Sequence, residues 1–383
     1  MTDAPGEAPV RFRRLRITLL ALTVLALSCL IAILVAEFAV RLAAPQQLIQ
    51  IRPDLWQPVD SLGWVRRPNA NLRINTGERT VRILSDAEGY RIGEAGRRDA
   101  ATRVLLIGDS FIEALQVDHE QSIAHLLEKG LADSLDRAVV VRNAGINGWN
   151  PNHYLIRTRQ LLAREPFALA VIAIFVGNDA VPYRFDRIAP RAPVARHQFR
   201  LPRRAAWSEI VDALLAPVND ALEVRSHLYI LAKNQLATVR MRLGMTADYL
   251  PLEYRHTEAE SARWKNTAAI AKDLAKAARA TNTPVLFVLI PERFQVYPDD
   301  FSRYIRGFGI DSTLVDVEQP TRLLYDAFRA ESLLVVDALP SMRSTATSAS
   351  ERLYGRVDQH LSPAGHEALA RVVIPASVRL LKR

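Results

Sequence analysis

Five short runs of unbroken apolar residues, the first three each followed by a small polar cluster, constrain this chain more than any other feature. They fall at residues 104–107, 139–141, 169–176, 285–290 and 333–336. Runs of this length without polar alternation suit strands buried on both faces. Helical patterns separate them. Asp118 and Gln121 read as a capping-box-like start ahead of Ile123, Leu126, Leu127 and Leu131 on one helical face. Thr257 and Glu260 repeat that start before an alanine-rich helix running to about Ala280. Ser362 and Pro363 open a last helix with proline at its first position. Alternating strands and helices predict an α/β fold. Its mainly parallel, five-stranded sheet is covered on both faces, a three-layer, doubly wound architecture with right-handed crossovers.

Three segments stand outside the alternation. Arg11, Arg13, Arg14 and Arg16 precede an apolar stretch at 17–36, long enough to cross a bilayer as a helix. It exceeds the 7–15 residues of a signal-peptide core and ends at Glu37 and Arg41 without a small-residue cleavage site. An uncleaved transmembrane anchor is therefore favoured over a cleaved signal. The preceding arginines predict residues 1–16 in the cytoplasm and everything after Arg41 outside it. Residues 43–100 carry several prolines, Trp56 and Trp64, and read as an extended connector packed on the domain, with one short strand at 81–84. Residues 181–254 interrupt the core as a cap-like insertion. It begins with Arg184, Arg187, Arg191, Arg196, Arg200, Arg203 and Arg204 and continues with helical patterns near 207–215 and 226–243.

The net charge of +9 suits an anionic membrane or an acidic polymer as partner. No nucleic-acid-binding module is present, which discounts nucleic acid. The single cysteine, Cys29, lies inside the apolar stretch and excludes an intrachain disulfide or a thiolate metal cluster. No metal and no cofactor are predicted, and His119 and His125 do not belong to a metal-binding pattern of carboxylates or cysteines.

Ligands of open α/β sheets bind beyond the carboxyl ends of the strands. The residues following the runs are Gly108-Asp109-Ser110-Phe111, then Asn143 to Gly148, then Gly177-Asn178-Asp179; Asp358-Gln359-His360 precedes the last helix. Together they supply what acyl transfer needs. A serine hydroxyl becomes nucleophilic when a neighbouring base takes its proton. His360 is the candidate base, and Asp358 is the nearest acid to hold its tautomer. An oxyanion needs preorganised donors. The Ser110 amide, a glycine amide of the second cluster and the Asn178 side chain are the candidates. Asp179 reads as a support for the Asn178 loop and His366 as a packing residue. Phe111 and Trp149 fit a substrate pocket or the core equally well.

In order and content these clusters resemble the four blocks of the SGNH/GDSL hydrolase family, over residues 103–383. The resemblance implies a flavodoxin-like SGNH hydrolase fold, Ser110 as nucleophile, Gly148 and Asn178 as oxyanion donors, His360 as base and Asp358 as its acid. Leu62-Gly63-Trp64 and Gly89-Tyr90-Arg91 are similar to segments of a membrane-anchored bacterial branch, which implies the inner membrane with a periplasmic catalytic domain. One departure concerns Asp358: the family's usual spacing is Asp-x-x-His, and position 357 is valine.

The resulting expectation is a serine-dependent ester hydrolase or acyl (acetyl) transferase acting on an O-acylated envelope polysaccharide, peptidoglycan or lipid. Two other readings remain: a catalytically silent, anchored binding or assembly subunit, and a lysophospholipase or thioesterase. The acyl group, the acceptor and the oligomeric state are not encoded in these motifs, because fold does not fix function.

Overall fold

The computed structural model describes residues 10–48, 54–96, 99–185, 215–219, 221–245, 250, 254–255, 258–356 and 358–382. Its centre is a sheet whose strands carry apolar residues on both sides. In β6 (Thr102–Ile107), Leu105 and Ile107 enter one core cluster while Val104 and Leu106 enter another. The same split recurs in β8 (Leu169–Phe175), where Ala170, Ile172 and Ile174 face one way and Leu169, Val171 and Ala173 the other. It recurs again in β9 (Val285–Ile290). Successive side chains of a strand point to opposite faces, so a continuous apolar run requires a cover on each. Burying each such side chain contributes about 1.5–3 kcal/mol.

Those covers are two helical layers. One contains α3 (Ile123–Leu135), α10 (Leu339–Ser348) and α11 (Pro363–Leu381). The other contains α4 (Pro151–Leu162), α6 (Glu258–Arg279) and α9 (Gln319–Ala330). With β7 (Val139–Asn143) and β10 (Val335–Asp337), the parallel strands are ordered β10-β9-β8-β6-β7. In chain order that is the doubly wound 2-1-3-4-5 arrangement, with its switch point at β6.

The five-stranded expectation is short by three strands. β3 (Asn71–Asn75), β4 (Thr80–Ser85) and β5 (Arg91–Ile92) continue the sheet antiparallel beyond β7, giving eight strands in mixed orientation. Much of the segment read as an extended connector is thus part of the sheet. The physical reason is the outer edge of β7, whose backbone groups these strands partly satisfy and shield. β4 shows the half-buried alternation of such a strand: Val81 and Ile83 are buried and Thr80 and Arg82 exposed. A separate hairpin of β1 (Trp56–Val59) and β2 (Gly63–Arg66) packs Trp56 into the same core.

The capping-box reading at Asp118 is also corrected. Asp118 makes no side-chain cap; a 3-10 turn at His119–Gln121 intervenes, and α3 begins at Ile123. The expected start of the last helix holds, with the Ser362 hydroxyl accepting from the Gly365 amide at 3.2 Å and Pro363 at the first position. Thr257 lies outside the described residues.

At the N-terminal side, α1 (Val10–Ala43) is one continuous helix. Within the segment Arg14–Ala43, an 18-residue window reaches a mean hydropathy of 2.9, and none of that window is buried in the protein. Among the described residues it is the one helix long and apolar enough to cross a membrane. Of the insertion, α5 (His227–Arg242) is described, with Ser226 as its N-cap. Arg184 pairs with Asp273 at 2.5 Å. The other six arginines of the arm, and residues 207–214, lie outside the described residues.

Candidate active site

Ser110 stands where β6 ends, at the switch point of the sheet. Gly108 makes the turn possible: a Cβ there would come within 2.4 Å of Ile112 Cγ1. Asp109 caps the single turn α2 (Ser110–Glu113), its Oδ1 accepting from the Phe111 amide at 2.9 Å. Ala114, left-handed at φ 56°, closes the turn by donating its amide to the Ser110 carbonyl. The serine is therefore fixed by its neighbours before any partner reaches it.

His360 and Asp358 arrive on a tight hairpin. Tyr354 bridges Leu361, the Gly355 amide donates to the His360 carbonyl at 3.0 Å, and the Ser362 amide donates to the Leu353 carbonyl at 2.9 Å. A Cβ on Gly355 would lie 2.2 Å from the Asp358 carbonyl oxygen, so the loop closes only around glycine. Inside it, Asp358 Oδ1 accepts from the His360 amide at 3.0 Å and contacts His360 Nδ1. His360 Nε2 lies 2.7 Å from Ser110 Oγ. The shortened Asp-x-His spacing works because the carboxylate folds back onto both the backbone and the ring of the residue two positions on. Ser110, His360 and Asp358 form one hydrogen-bonded chain.

The electrostatics follow from this burial. Asp358 is 4% exposed, and burial opposes its charge. The His360 charge and hydrogen bonds from His360 and Gln116 outweigh that and hold the carboxyl below its ordinary range. Burial likewise opposes charging of His360, and the Asp358 carboxylate outweighs it, so the imidazole sits above its usual value. Asp109 behaves oppositely. Burial pushes it up to about 6 against the Phe111 amide and the His360 charge, and its Oδ2 has no hydrogen-bond partner.

Gly148 and Asn178 occupy loops at the carboxyl ends of β7 and β8, the two neighbours of β6, so they flank the Ser110 turn from opposite sides. Both residues are exposed. Gly148 has φ +76°, a region costly to side chains, and a Cβ there would meet the Trp64 ring at 3.1 Å. Gly145 is packed beneath, where a Cβ would come within 2.5 Å of Ile112 and 2.9 Å of the Glu113 nitrogen. Asp179 anchors the Asn178 loop: its Oδ2 accepts from the Phe175 amide at 2.9 Å and from the Tyr154 hydroxyl at 3.0 Å.

Several residues around the site carry no signal in a motif reading. Asp358 Oδ2 accepts from Gln116 Nε2 at 2.8 Å and from Gln47 Nε2 at 2.6 Å. Glu113 is fully buried; its Oε2 accepts from the Asn147 amide at 2.6 Å, and its Oε1 pairs with the Arg66 guanidinium at 3.1 Å. Arg66 also donates to the carbonyls of Gly89 at 3.0 Å and Gly145 at 2.7 Å. Arg91 donates to the Glu113, Ala114 and Val117 carbonyls. Glu113 alone has a local signal that could have found it, an acid within the apolar stretch 111–115. Phe111 and Trp149 are buried. Phe111 stacks on Phe175 at 4.1 Å and against the His360 ring at 4.8 Å, whereas Trp149 donates to the Trp64 carbonyl at 3.1 Å. His366 is buried against α3, its Nδ1 accepting from the Ile123 amide at 3.3 Å.

A serine hydroxyl bonded to an imidazole, itself bonded to a buried carboxylate, is the arrangement that makes serine a nucleophile. The base removes the proton as the oxygen attacks, then returns it to the leaving group.

Residues 249–380 match the family model described as "SGNH hydrolase-like domain, acetyltransferase AlgX", a stretch that holds Asp358 and His360. Among solved structures, TesA is 19% identical, with 73% of this chain and 99% of that chain covered at a TM-score of 0.39. Axe2, an acetylxylan esterase from Geobacillus stearothermophilus, is 12% identical over 75% of this chain and 96% of that one, also at 0.39. A two-domain esterase active on acetylated mannans is 12% identical over 74% of this chain and 50% of that one, at 0.39. No curated protein matches the chain. Over residues 249–380, about a third of its length, the chain is thus similar to an SGNH hydrolase-like domain.

Proposed function

We propose that the protein is a serine-dependent acyl-transfer enzyme that cleaves or moves the acyl group of an O-acylated envelope polysaccharide. Ser110 attacks the acyl carbonyl, and His360, held by Asp358, takes its proton. The Ser110 and Gly148 amides and the Asn178 side chain receive the oxyanion. Water or a sugar hydroxyl then attacks the acyl-enzyme, giving hydrolysis or transfer. The observation that carries this reading is the 2.7 Å contact between Ser110 Oγ and His360 Nε2, backed by Asp358. Acetyl as the acyl group draws support from the acetyltransferase description of the matching family model. Labelling with a fluorophosphonate probe tests it: the wild-type chain is expected to label and Ser110→Ala to stay dark. Equal labelling of the two would remove the serine mechanism, and an unlabelled wild type would favour a silent binding subunit.

The same reading places the enzyme at the bacterial inner membrane, with α1 as an uncleaved single span, the N-terminus cytoplasmic and the catalytic domain periplasmic. In its support, the end of α1 is tied to the domain. Glu37 accepts from the Ser226 hydroxyl at 2.7 Å and from the His227 and Leu228 amides at 3.0 and 2.9 Å, and Arg41 donates to the Arg225 carbonyl at 2.6 Å. A reporter fused after Ala44 that is active only in the cytoplasm would reverse this topology.

A lipid ester is the second reading, favoured by Gln47. This residue lies four positions past the end of α1 and reaches Asp358, so the site stands close to the membrane. Turnover of short-chain against long-chain esters separates the two; a strong long-chain preference would favour the lipase or thioesterase.

A further inference from the structure

α5 carries apolar residues on two faces. Ile230 and Met241 are buried in the protein. On another face, Leu236, Val239 and Leu243 follow one another at the three- and four-residue spacing of a single helical stripe. They are 52%, 50% and 68% exposed, and Met245 just beyond is 68% exposed. Arg240 lies to one side of this stripe and Arg242 to the other, both exposed. Lys233 sits beside Arg240 but is paired with Glu223. An exposed apolar stripe edged by arginines is the pattern of a helix that lies in a membrane interface, where long cationic side chains reach headgroups while the stripe enters the acyl boundary.

The start of this helix is already fixed to a membrane element. Glu37, just past the apolar run of α1, accepts from Ser226, His227 and Leu228, and the His227 ring accepts from the Gln46 amide at 2.7 Å. The first turn of α5 is therefore held where α1 leaves its apolar stretch.

We propose that α5 is a second membrane contact, seated in the headgroup region of an anionic bilayer with Leu236, Val239 and Leu243 in the acyl boundary and Arg240 and Arg242 on lipid phosphates. This rests on α1 being a retained membrane span. An anionic headgroup neutralises Arg240, and a second pairs with the exposed Arg242, whose guanidinium lies 6.0 Å from the Phe308 ring centroid; contact with the bilayer removes the stripe from water. The seat would hold the insertion, and with it the loop of Asn178, at the surface where a membrane-borne substrate arrives.

The test uses the full chain in vesicles. In a Cys29→Ser background, single cysteines replace Leu236, Leu243 or, as control, the exposed Asn234, which lies on the opposite side of the helix. Each is labelled with an environment-sensitive fluorophore and reconstituted in vesicles of phosphatidylcholine and phosphatidylglycerol, with or without a quencher attached near the lipid headgroup. At positions 236 and 243 the emission shifts to the blue and is lost to the quencher, whereas at 234 it stays water-like. Replacing Arg240 and Arg242 by glutamine weakens the quenching. Water-like emission at all three positions overturns the proposal. So does a blue shift the lipid quencher leaves untouched, which assigns the stripe to protein. A chain that fails to enter the vesicles defeats the anchor reading itself, and this proposal with it.

Discussion

His360 decides the pH dependence of the proposed reaction. It works as a base only when neutral, and the Asp358 carboxylate raises its pKa above the ordinary value of 6.5. Activity is therefore expected to be lost as pH falls through the raised value, giving kcat/KM an acid limb whose midpoint lies above 6.5. Asp358→Asn removes the charge that raises it. The limb should move to lower pH, and kcat should drop by on the order of 10³–10⁴. A pH–rate profile of both forms checks this; an unmoved limb would mean that Asp358 does not act on His360. Ser110 and His360 were legible in sequence because strand ends and a terminal helix start can be read locally. The spacing of Asp358 was harder, because a hairpin closed by Gly355 sets it. Gln47 and Gln116, which lie 311 and 242 residues from Asp358, were not legible at all. Their contact exists only once the sheet has formed.

His366 illustrates a different residue-scale effect. Burial and the nearby Arg91 hold it down to about 3 from the ordinary 6.5, so it stays neutral in the fold. The unfolded chain takes up a proton as pH drops below 6.5 and the folded chain does not. Stability from this site is thus present above 6.5 and declines by about 1.4 kcal/mol per unit as pH falls towards the folded value. His366→Gln, which keeps an acceptor near the Ile123 amide, should flatten that slope. Melting temperatures of the two forms near neutral pH and at mildly acidic pH make the comparison; parallel losses would contradict it.

At the scale of elements, the three added strands and the β1–β2 hairpin explain buried charge that an α/β core of five strands would not need. Arg66 ends β2 and Arg91 begins β5, and between them they bind Glu113 and the carbonyls around α2 and the Gly145 loop. The N-terminal extension thus holds the turn that carries Ser110. The apolar pattern revealed the five parallel strands because each had to be covered on both faces. It missed β3 and β5 because short, half-exposed antiparallel strands carry few apolar residues, as in the Asn-Leu-Arg-Ile-Asn of β3. Removing one member of the pair leaves the other charge buried, so Arg66→Met is expected to cost about 3–5 kcal/mol. The double variant Arg66→Met, Glu113→Leu should recover most of that stability. It should not recover activity, because Glu113 Oε2 is what fixes the Asn147 amide beside Gly148. Denaturant titration together with kcat/KM separates the effects: full activity in the stable double variant would show that the pair serves the fold alone.

For the whole molecule, the apolar helix and the catalytic domain are joined by more than a chain connection. Four consecutive positions would span at most about 14 Å of extended chain, so Gln47 ties Asp358 to a point close to the end of α1. Glu37 and Arg41 bind the start of α5 from the other direction. With α1 as the proposed membrane span, a loose tether would let the domain tumble above the bilayer, whereas these contacts would fix its height and orientation. Glu37 is the central member, since its carboxylate satisfies two amides at the start of α5 that lack helical partners. Glu37→Ala should cost about 0.5–2 kcal/mol locally. The effect is read as faster hydrogen exchange at the His227 and Leu228 amides in the vesicle-bound chain, with exchange in β6 and β8 unchanged. If those two amides exchange at the wild-type rate, the contact between α1 and α5 does not persist in the membrane, and the domain is tethered only through residues 44–47.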